Sequence, residues 1–262
     1  ANYLDITATT ETPEETIVYA AFGRVIEQIN AEDARVWAWY DVRGNLSHQL
    51  TETEAGKGVL TEHDYAAFGQ VIETRVYETL DDLGSSRSGN PPSVAGSVRT
   101  TEFVYDDLGR MTETKIAGIQ TGRMNGGSYT ITNNTNLITA YTYDAFGNLT
   151  KTIDPNGNEV RAWFDELGRK TAELDAGSYL TRWEYDSDGN VLTETRYADA
   201  ASLSGDDYVI PTTQLNGANR ITTFTYDKAG QRRTETRTGV EVYNGNENNP
   251  GVTTQDAQIV YD

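Results

Sequence analysis

The sequence predicts an all-β protein made of repeated antiparallel hairpins. Three observations carry this. A short motif, aromatic-Asp-x-x-Gly, recurs along the chain. The segments on both sides of it are rich in Thr, Val, Ile and aromatic residues, with aromatics placed two apart. The shortest spacing between copies is 21 residues, enough for two strands and two turns.

The copies are read in chain order. Residues 1–18 are a lead-in strand or a partial preceding repeat. Tyr19-Ala20-Ala21-Phe22-Gly23-Arg24 opens the array, with Ala where Asp is expected. Tyr40-Asp41-Val42-Arg43-Gly44-Asn45 follows, then a second Ala variant, Tyr65-Ala66-Ala67-Phe68-Gly69-Gln70. Tyr105-Asp106-Asp107-Leu108-Gly109-Arg110, Tyr143-Asp144-Ala145-Phe146-Gly147-Asn148 and Phe164-Asp165-Glu166-Leu167-Gly168-Arg169 come next. Tyr185-Asp186-Ser187-Asp188-Gly189-Asn190 and Tyr226-Asp227-Lys228-Ala229-Gly230-Gln231 bring the complete motifs to eight. Tyr261-Asp262 are the first two residues of a ninth. The leaders are 21, 25, 40, 38, 21, 21, 41 and 35 residues apart, so a 21-residue unit carries inserts in some copies. Residues 19–262 therefore read as one continuous repeat array within a longer protein.

Each part of the motif has a physical reason. Phe103/Tyr105, Tyr141/Tyr143, Trp183/Tyr185 and Phe224/Tyr226 are two apart, so each pair lies on one face of a strand. The leaders then form a packed structural stripe. Phe164 in a leader position argues for packing and against a role for the phenol hydroxyl. The turn Asp (Asp41, Asp106, Asp144, Asp165, Asp186, Asp227) accepts a backbone N–H two residues on. The turn Gly (Gly23, Gly44, Gly69, Gly109, Gly147, Gly168, Gly189, Gly230) supplies the positive φ that a bulge after a type I turn requires. A second turn, Asp154-Pro155-Asn156-Gly157-Asn158 or Asp175-Ala176-Gly177-Ser178, closes the unit. The inserts, Gly84 to Ser97, Gly118 to Asn136, Asp199 to Asn219 and Asn244 to Gln255, all fall at the phase of this second turn. They should decorate one edge. Leu80-Asp81-Asp82-Leu83-Gly84 resembles the motif out of phase and is read as coincidence.

Composition narrows the function. The 262 residues carry 40 acidic and 21 basic side chains, a formal net charge of −19. Such a chain is a poor match for nucleic-acid phosphate or anionic lipid. No apolar run is long enough to span a membrane, and Ala1-Asn2-Tyr3-Leu4-Asp5 does not open a signal peptide. With no cysteine there is no thiolate metal site or Cys nucleophile. His48 and His63 are the only histidines and are expected on the surface of strands or loops. No phosphate loop, nucleophile elbow or His-Glu-x-x-His occurs, so no catalytic residue, metal ligand or cofactor is assigned. The Asp-rich turns at 154–159 and 186–190 resemble the start of a calcium loop but lack its full spacing and are read as turns.

Tyr-Asp-x-x-Gly-Arg at a 21-residue period, with Asp-Pro-x-Gly-Asn between copies, resembles the YD repeat of the RHS family over residues 19–262. That family includes bacterial polymorphic toxins, shell-forming components of Tc toxin complexes, wall-associated proteins and teneurins. The resemblance implies a spiral β-sheet forming part of a shell or barrel. It implies a non-enzymatic role in enclosing a cargo or toxin domain, or in scaffolding at a cell surface. It further implies a secreted or surface location and, as partners, the flanking repeats and C-terminal cargo domain of the same chain. The alternative is an adhesin that binds glycans or cell-surface proteins through exposed aromatics and the loop-decorated edge. Trp39 and Trp163 bear on this, because each precedes a leader and so points to the face opposite the Tyr stripe, toward a lumen or an exposed surface.

Overall fold

Short β-branched and aromatic runs, broken every few residues by Asp and Gly, leave no stretch for a helix to propagate. The computed structural model describes residues 16–20, 23–30, 34–54, 57–77, 90–92, 98–125, 128–203, 209–211, 219–243 and 252–261. Among them are seventeen strands and no α-helix. The residues divide into two compact units, 1–138 and 139–262, with the division inside one strand.

The first unit holds β1 (Thr16–Tyr19), β2 (Val25–Ile29), β3 (Arg35–Tyr40), β4 (Leu46–Glu54), β5 (Lys57–Tyr65), β6 (Val71–Tyr77), β7 (Val98–Tyr105) and β8 (Met111–Asn125). Each pairs antiparallel with the next. β9 (Ser128–Tyr143) carries the division. β10 (Leu149–Ile153), β11 (Glu159–Phe164), β12 (Lys170–Leu174), β13 (Tyr179–Tyr185), β14 (Val191–Ala200), β15 (Arg220–Tyr226), β16 (Arg232–Tyr243) and β17 (Val252–Val260) continue the second unit. From β9 to β17 the pairing is again antiparallel between sequence neighbours. This is a meander in each unit.

Each complete motif joins a leader strand to the strand after its Gly, and every such pair carries the same irregularity. Tyr40 faces Leu46 but Trp39 faces His48, so Ser47 is an extra residue. Ile26, Ile72, Thr112, Thr150, Thr171, Leu192 and Arg233 are the extra residues of the other copies. A bulge at one fixed phase sharpens the strand twist in every hairpin. Where the bulged residue is Ser or Thr, its hydroxyl donates to the carbonyl just before the leader: Ser47 to Trp39, Thr112 to Val104, Thr150 to Thr142 and Thr171 to Trp163.

The fully buried side chains lie opposite the leaders. Trp37, Leu50 and Leu60 are cross-strand neighbours over β3, β4 and β5, with Trp39 and Tyr77 packed against them. Trp163, Ala172, Leu174, Leu180 and Ala201 form the equivalent cluster, joined by Tyr197 and Ile210. Trp163 is thus core, not a lumen or surface residue. The insert after β14 supplies the cover: Ala201 and Pro211 are buried, Ala201 N–H donates to the Ser178 carbonyl, and Asn219 Oδ1 accepts from Ala198 N–H. The clusters correspond at four pairs of positions. Trp39 and Trp163, like Leu50 and Leu174, are 124 apart, while Leu60 and Leu180, like Tyr77 and Tyr197, are 120 apart.

Two inserts differ from the loops expected. β8 and β9 run through most of 118–136, and β17 takes in Val252 to Gln255. Ile119, Thr121, Tyr129, Thr130, Ile131 and Thr132, and Val252, Thr253 and Thr254, favour the extended chain there. Residues 78–89, 93–97, 204–208, 212–218 and 244–251, the out-of-phase Leu80–Gly84 segment, the lead-in 1–15 and Asp262 lie outside the described residues.

Candidate functional site

The recurring local arrangement is the turn at the end of each leader strand. At Gly109 the N–H donates to the Asp106 carbonyl at 2.9 Å, and Asp106 N–H donates to the Arg110 carbonyl at 2.9 Å. The same pair of bonds forms at Asp41/Gly44, Asp144/Gly147, Asp165/Gly168, Asp186/Gly189 and Asp227/Gly230. In Ala20/Gly23 and Ala66/Gly69 the backbone closes the same turn without the carboxylate. All eight turn glycines have positive φ, from 72° to 94°.

The aspartates do more than the sequence indicated. Asp106 Oδ1 accepts from Leu108 N–H and also from Arg110 N–H, while Oδ2 accepts from Arg110 Nε. Asp165 repeats this with Leu167 and Arg169. Asp41, Asp144 and Asp186 use Asn45, Asn148 and Asn190 side chains as the third donor. Asp227 accepts from Ala229 and Gln231 N–H. The residue after the Gly is therefore part of the turn, and its Arg or Asn identity is the signal that sequence reasoning passed over.

These bonds hold the carboxyls below the usual aspartate range. At Asp41, Asp154 and Asp186 the main cause is the Asn side chain four residues on. At Asp106, Asp165 and Asp227 it is the backbone N–H of that residue. At Asp144 burial opposes the shift and the Asn148 bonds overcome it. A depressed native pKa means stability that is present above the unfolded value and is lost as pH falls through the native one. Unfolding followed by circular dichroism should therefore show a steep acid loss starting below about pH 4, the unfolded Asp value. A midpoint unchanged down to pH 2 would contradict it.

The second turns use the same chemistry on the other edge. Asp154 accepts from Asn156 N–H, Asn158 N–H and Asn158 Nδ2. In the Asp175 turn the left-handed position is Ser178, at φ 65°. Ser178→Gly should then stabilise by about 0.5–1 kcal/mol, the left-handed penalty less the entropy of the more flexible unfolded chain. Urea unfolding measures it, and a loss of stability would overturn the assignment.

Leader tyrosines tie one hairpin to the one before. Tyr40 Oη donates to the Val25 carbonyl at 2.8 Å, Tyr65 to Leu46 at 2.7 Å and Tyr105 to Val71 at 2.9 Å. In the second unit Tyr185 donates to Lys170 at 2.7 Å and Tyr226 to Val191 at 2.8 Å. Every acceptor sits two residues after the preceding turn Gly. Burial raises the phenol pKa of Tyr65 and Tyr185, which keeps them protonated donors. Tyr143 and Phe164 are half-buried like the others, whereas Tyr19 is exposed. The expectation that a hydrogen-bonding phenol could not survive a Phe copy is corrected. One missing bond among many is a small loss.

Turn side chains also reach forward to the next hairpin. Arg24 Cζ lies 5.3 Å from the Tyr40 ring centre and Arg169 Cζ lies 4.7 Å from that of Tyr185. Gln70 Nε2 would be 2.9 Å from a Cβ at Gly109, whereas a Cβ at Gly147 meets nothing within 4 Å. Gly147→Ala should cost about 1–2 kcal/mol for the left-handed backbone alone. Gly109→Ala should cost at least as much, with Gln70 displaced. Paired urea titrations read the difference, and no loss in either variant would refute the turn geometry.

The two histidines differ from expectation. Both are half-buried, on β4 and β5, and line one cavity of about 420 Å³ with Asp41, Val42, Arg43, Ser47, Asp64 and Tyr65. Among the described residues no group of acidic or histidine side chains is arranged to hold a metal, and no helix is long and apolar enough to cross a membrane.

Residues 25–190 match the model of the teneurin YD-shell family. No curated protein matches. Among solved structures, the crystal structure of TcdB2-TccC3 without its hypervariable C-terminal region matches at 15% identity, over 95% of this chain and 14% of that one, with a TM-score of 0.38. The crystal structure of TcdB2-TccC3-TEV gives 14%, 97%, 15% and 0.37. The Tc holotoxin pore of Photorhabdus luminescens gives 16%, 94%, 14% and 0.26. This chain thus spans about one seventh of the length of those chains. With the family match covering more than half of its residues, the chain belongs to the teneurin YD-shell family.

Proposed function

We propose that this chain is a wall segment of a hollow YD-repeat shell, and that its work is mechanical rather than catalytic. The observation that carries the reading is the phenol-to-carbonyl bond from five of the leaders to the preceding hairpin. It recurs at Tyr40, Tyr65, Tyr105, Tyr185 and Tyr226. A repeat stabilised chiefly by its neighbour extends without limit and needs no unique site. Leader aromatics, turn aspartates and turn glycines are structural in this reading, and residues 19–262 act as one array. The turn tips support it. Val42, Phe68, Leu108, Phe146 and Leu167 are almost fully exposed apolar side chains in a position that an isolated sheet has no reason to make apolar.

On this reading the protein is secreted or surface-borne, and its partners are its own flanking repeats and a cargo segment of the same polypeptide. Electron microscopy of the full-length polypeptide, with protease added, tests it. A hollow particle that protects an internal segment is expected. An extended chain, all of it cleaved at the rate of the unfolded protein, would refute it. Glycan-array binding abolished by Phe68→Ala and Phe146→Ala would favour the adhesin alternative.

A further inference from the structure

We infer that His48 and His63 form an acid-sensitive latch in the first unit, which loosens the β4–β5–β6 hairpins as pH falls below neutrality. The starting observation is placement. The chain has two histidines, and both line the same cavity. Between pH 5 and 7 imidazole is the side chain whose ordinary pKa lies in range. Both side chains whose ordinary pKa lies inside that window therefore share one place.

The surroundings decide the sign. His63 Nδ1 lies 3.0 Å from Thr74 Oγ1 on β6, and its ring stands 6.4 Å from that of Tyr65. His48 Nδ1 lies 3.1 Å from Ser47 Oγ, and its Nε2 lies 3.5 Å from Glu62 Oε1 on β5. The carboxylates that could welcome an imidazolium are already engaged. Glu62 accepts from Tyr77 Oη at 2.7 Å and pairs with Arg75 at 3.1 Å. Arg75 also holds Asp64 at 2.6 Å and Glu73 at 2.6 Å. Asp41 accepts the N–H groups of its own turn, and Arg43 adds a positive charge to the cavity wall.

His48 Nε2 faces Glu62 Oε1 across the strands. His63 has no carboxylate bonded to its ring nitrogens in this arrangement, and it would meet the charge on His48. Burial and then that neighbouring charge hold His63 below its ordinary pKa. A base depressed in the native state binds its proton more readily when unfolded. The stability it confers is full above about pH 6.5 and is lost as pH falls from there through its native pKa.

Urea unfolding of the 262-residue protein between pH 7.5 and 5.0 tests the latch, together with His63→Gln and His48→Gln. The wild type is expected to show its unfolding equilibrium constant rising about tenfold for each unit by which His63 is depressed. His63→Gln, which keeps a polar partner for Thr74, should lose most of that dependence. His48→Gln should keep a smaller one, because the neighbouring charge is gone. A flat wild-type profile, or an undiminished slope in His63→Gln, overturns the proposal. Should His63→Gln not fold, an NMR titration of the wild-type imidazoles decides: a His63 midpoint below 6.5 supports the latch, and one at or above 6.5 overturns it.

Discussion

Leu174→Ala is expected to destabilise the second unit by about 3–5 kcal/mol, the range for truncating a fully buried leucine whose site cannot collapse. Leu174 is 2% exposed. It faces Leu180 on β13 and Arg161 on β11, both in backbone register with it, and packs in the cluster around Trp163. Antiparallel pairing fixes those strands about 4.8 Å apart, so they cannot close the void. Leu167→Ala is the control. It removes the same atoms from a turn tip that is 75% exposed and should change stability by about 0.5 kcal/mol or less. Urea titrations of both variants check the contrast. Similar losses would mean that the cluster around Trp163 is not the core of the unit.

That contrast also marks what the sequence could and could not disclose. Both leucines sit in β-rich repeats, and both could be read as apolar stripe residues. The turns were legible because Asp and Gly at fixed offsets serve few structures besides a tight turn. A meander followed from them, since successive turns four residues long leave only antiparallel neighbours. The core side was harder. The repeat drew attention to the leader face, yet the fully buried residues, Trp37, Leu50, Leu60, Trp163, Leu174 and Leu180, project from the other face. They vary from copy to copy, because burial there depends on which hairpins an insert covers. Ala201 and Ile210 pack on Trp163, and no 21-residue period contains that fact. A longer period does: the leader gaps run 21, 25, 40, 38 and then 21, 21, 41, 35.

Two further features stayed hidden for different reasons. The bulge residue is Ser or Thr in four copies but Ile, Leu or Arg in the others, since what the bulge needs is an extra residue and not a particular side chain. Ser178 takes the left-handed position of the second turn, which the sequence does not announce because its Gly stands one place earlier. The phenol bonds, by contrast, left a readable trace. A purely packed stripe would accept Phe as readily as Tyr, yet seven of the eight complete copies carry Tyr.

The leader tyrosine should therefore show two separable energies. Tyr185→Ala is expected to cost about 3 kcal/mol, toward the low end for an aromatic truncation because the ring is half-buried. It removes the ring beneath Arg169 and the bond to the Lys170 carbonyl together. Tyr185→Phe keeps the ring and should cost about 1 kcal/mol, the net worth of one hydrogen bond. The decisive variant runs the other way. Phe164 occupies a leader position in the same unit as Leu149, which sits two residues after the preceding turn Gly and so holds the acceptor place that Lys170 holds for Tyr185. Phe164→Tyr puts a hydroxyl where the other leaders have one, and stability should rise by about 0.5–1.5 kcal/mol. Unfolding midpoints of the three variants decide between a stripe that only packs and one that also ties hairpin to hairpin. A neutral or destabilising Phe164→Tyr would leave packing alone, whereas equal losses for Tyr185→Phe and Tyr185→Ala would count against the packed ring.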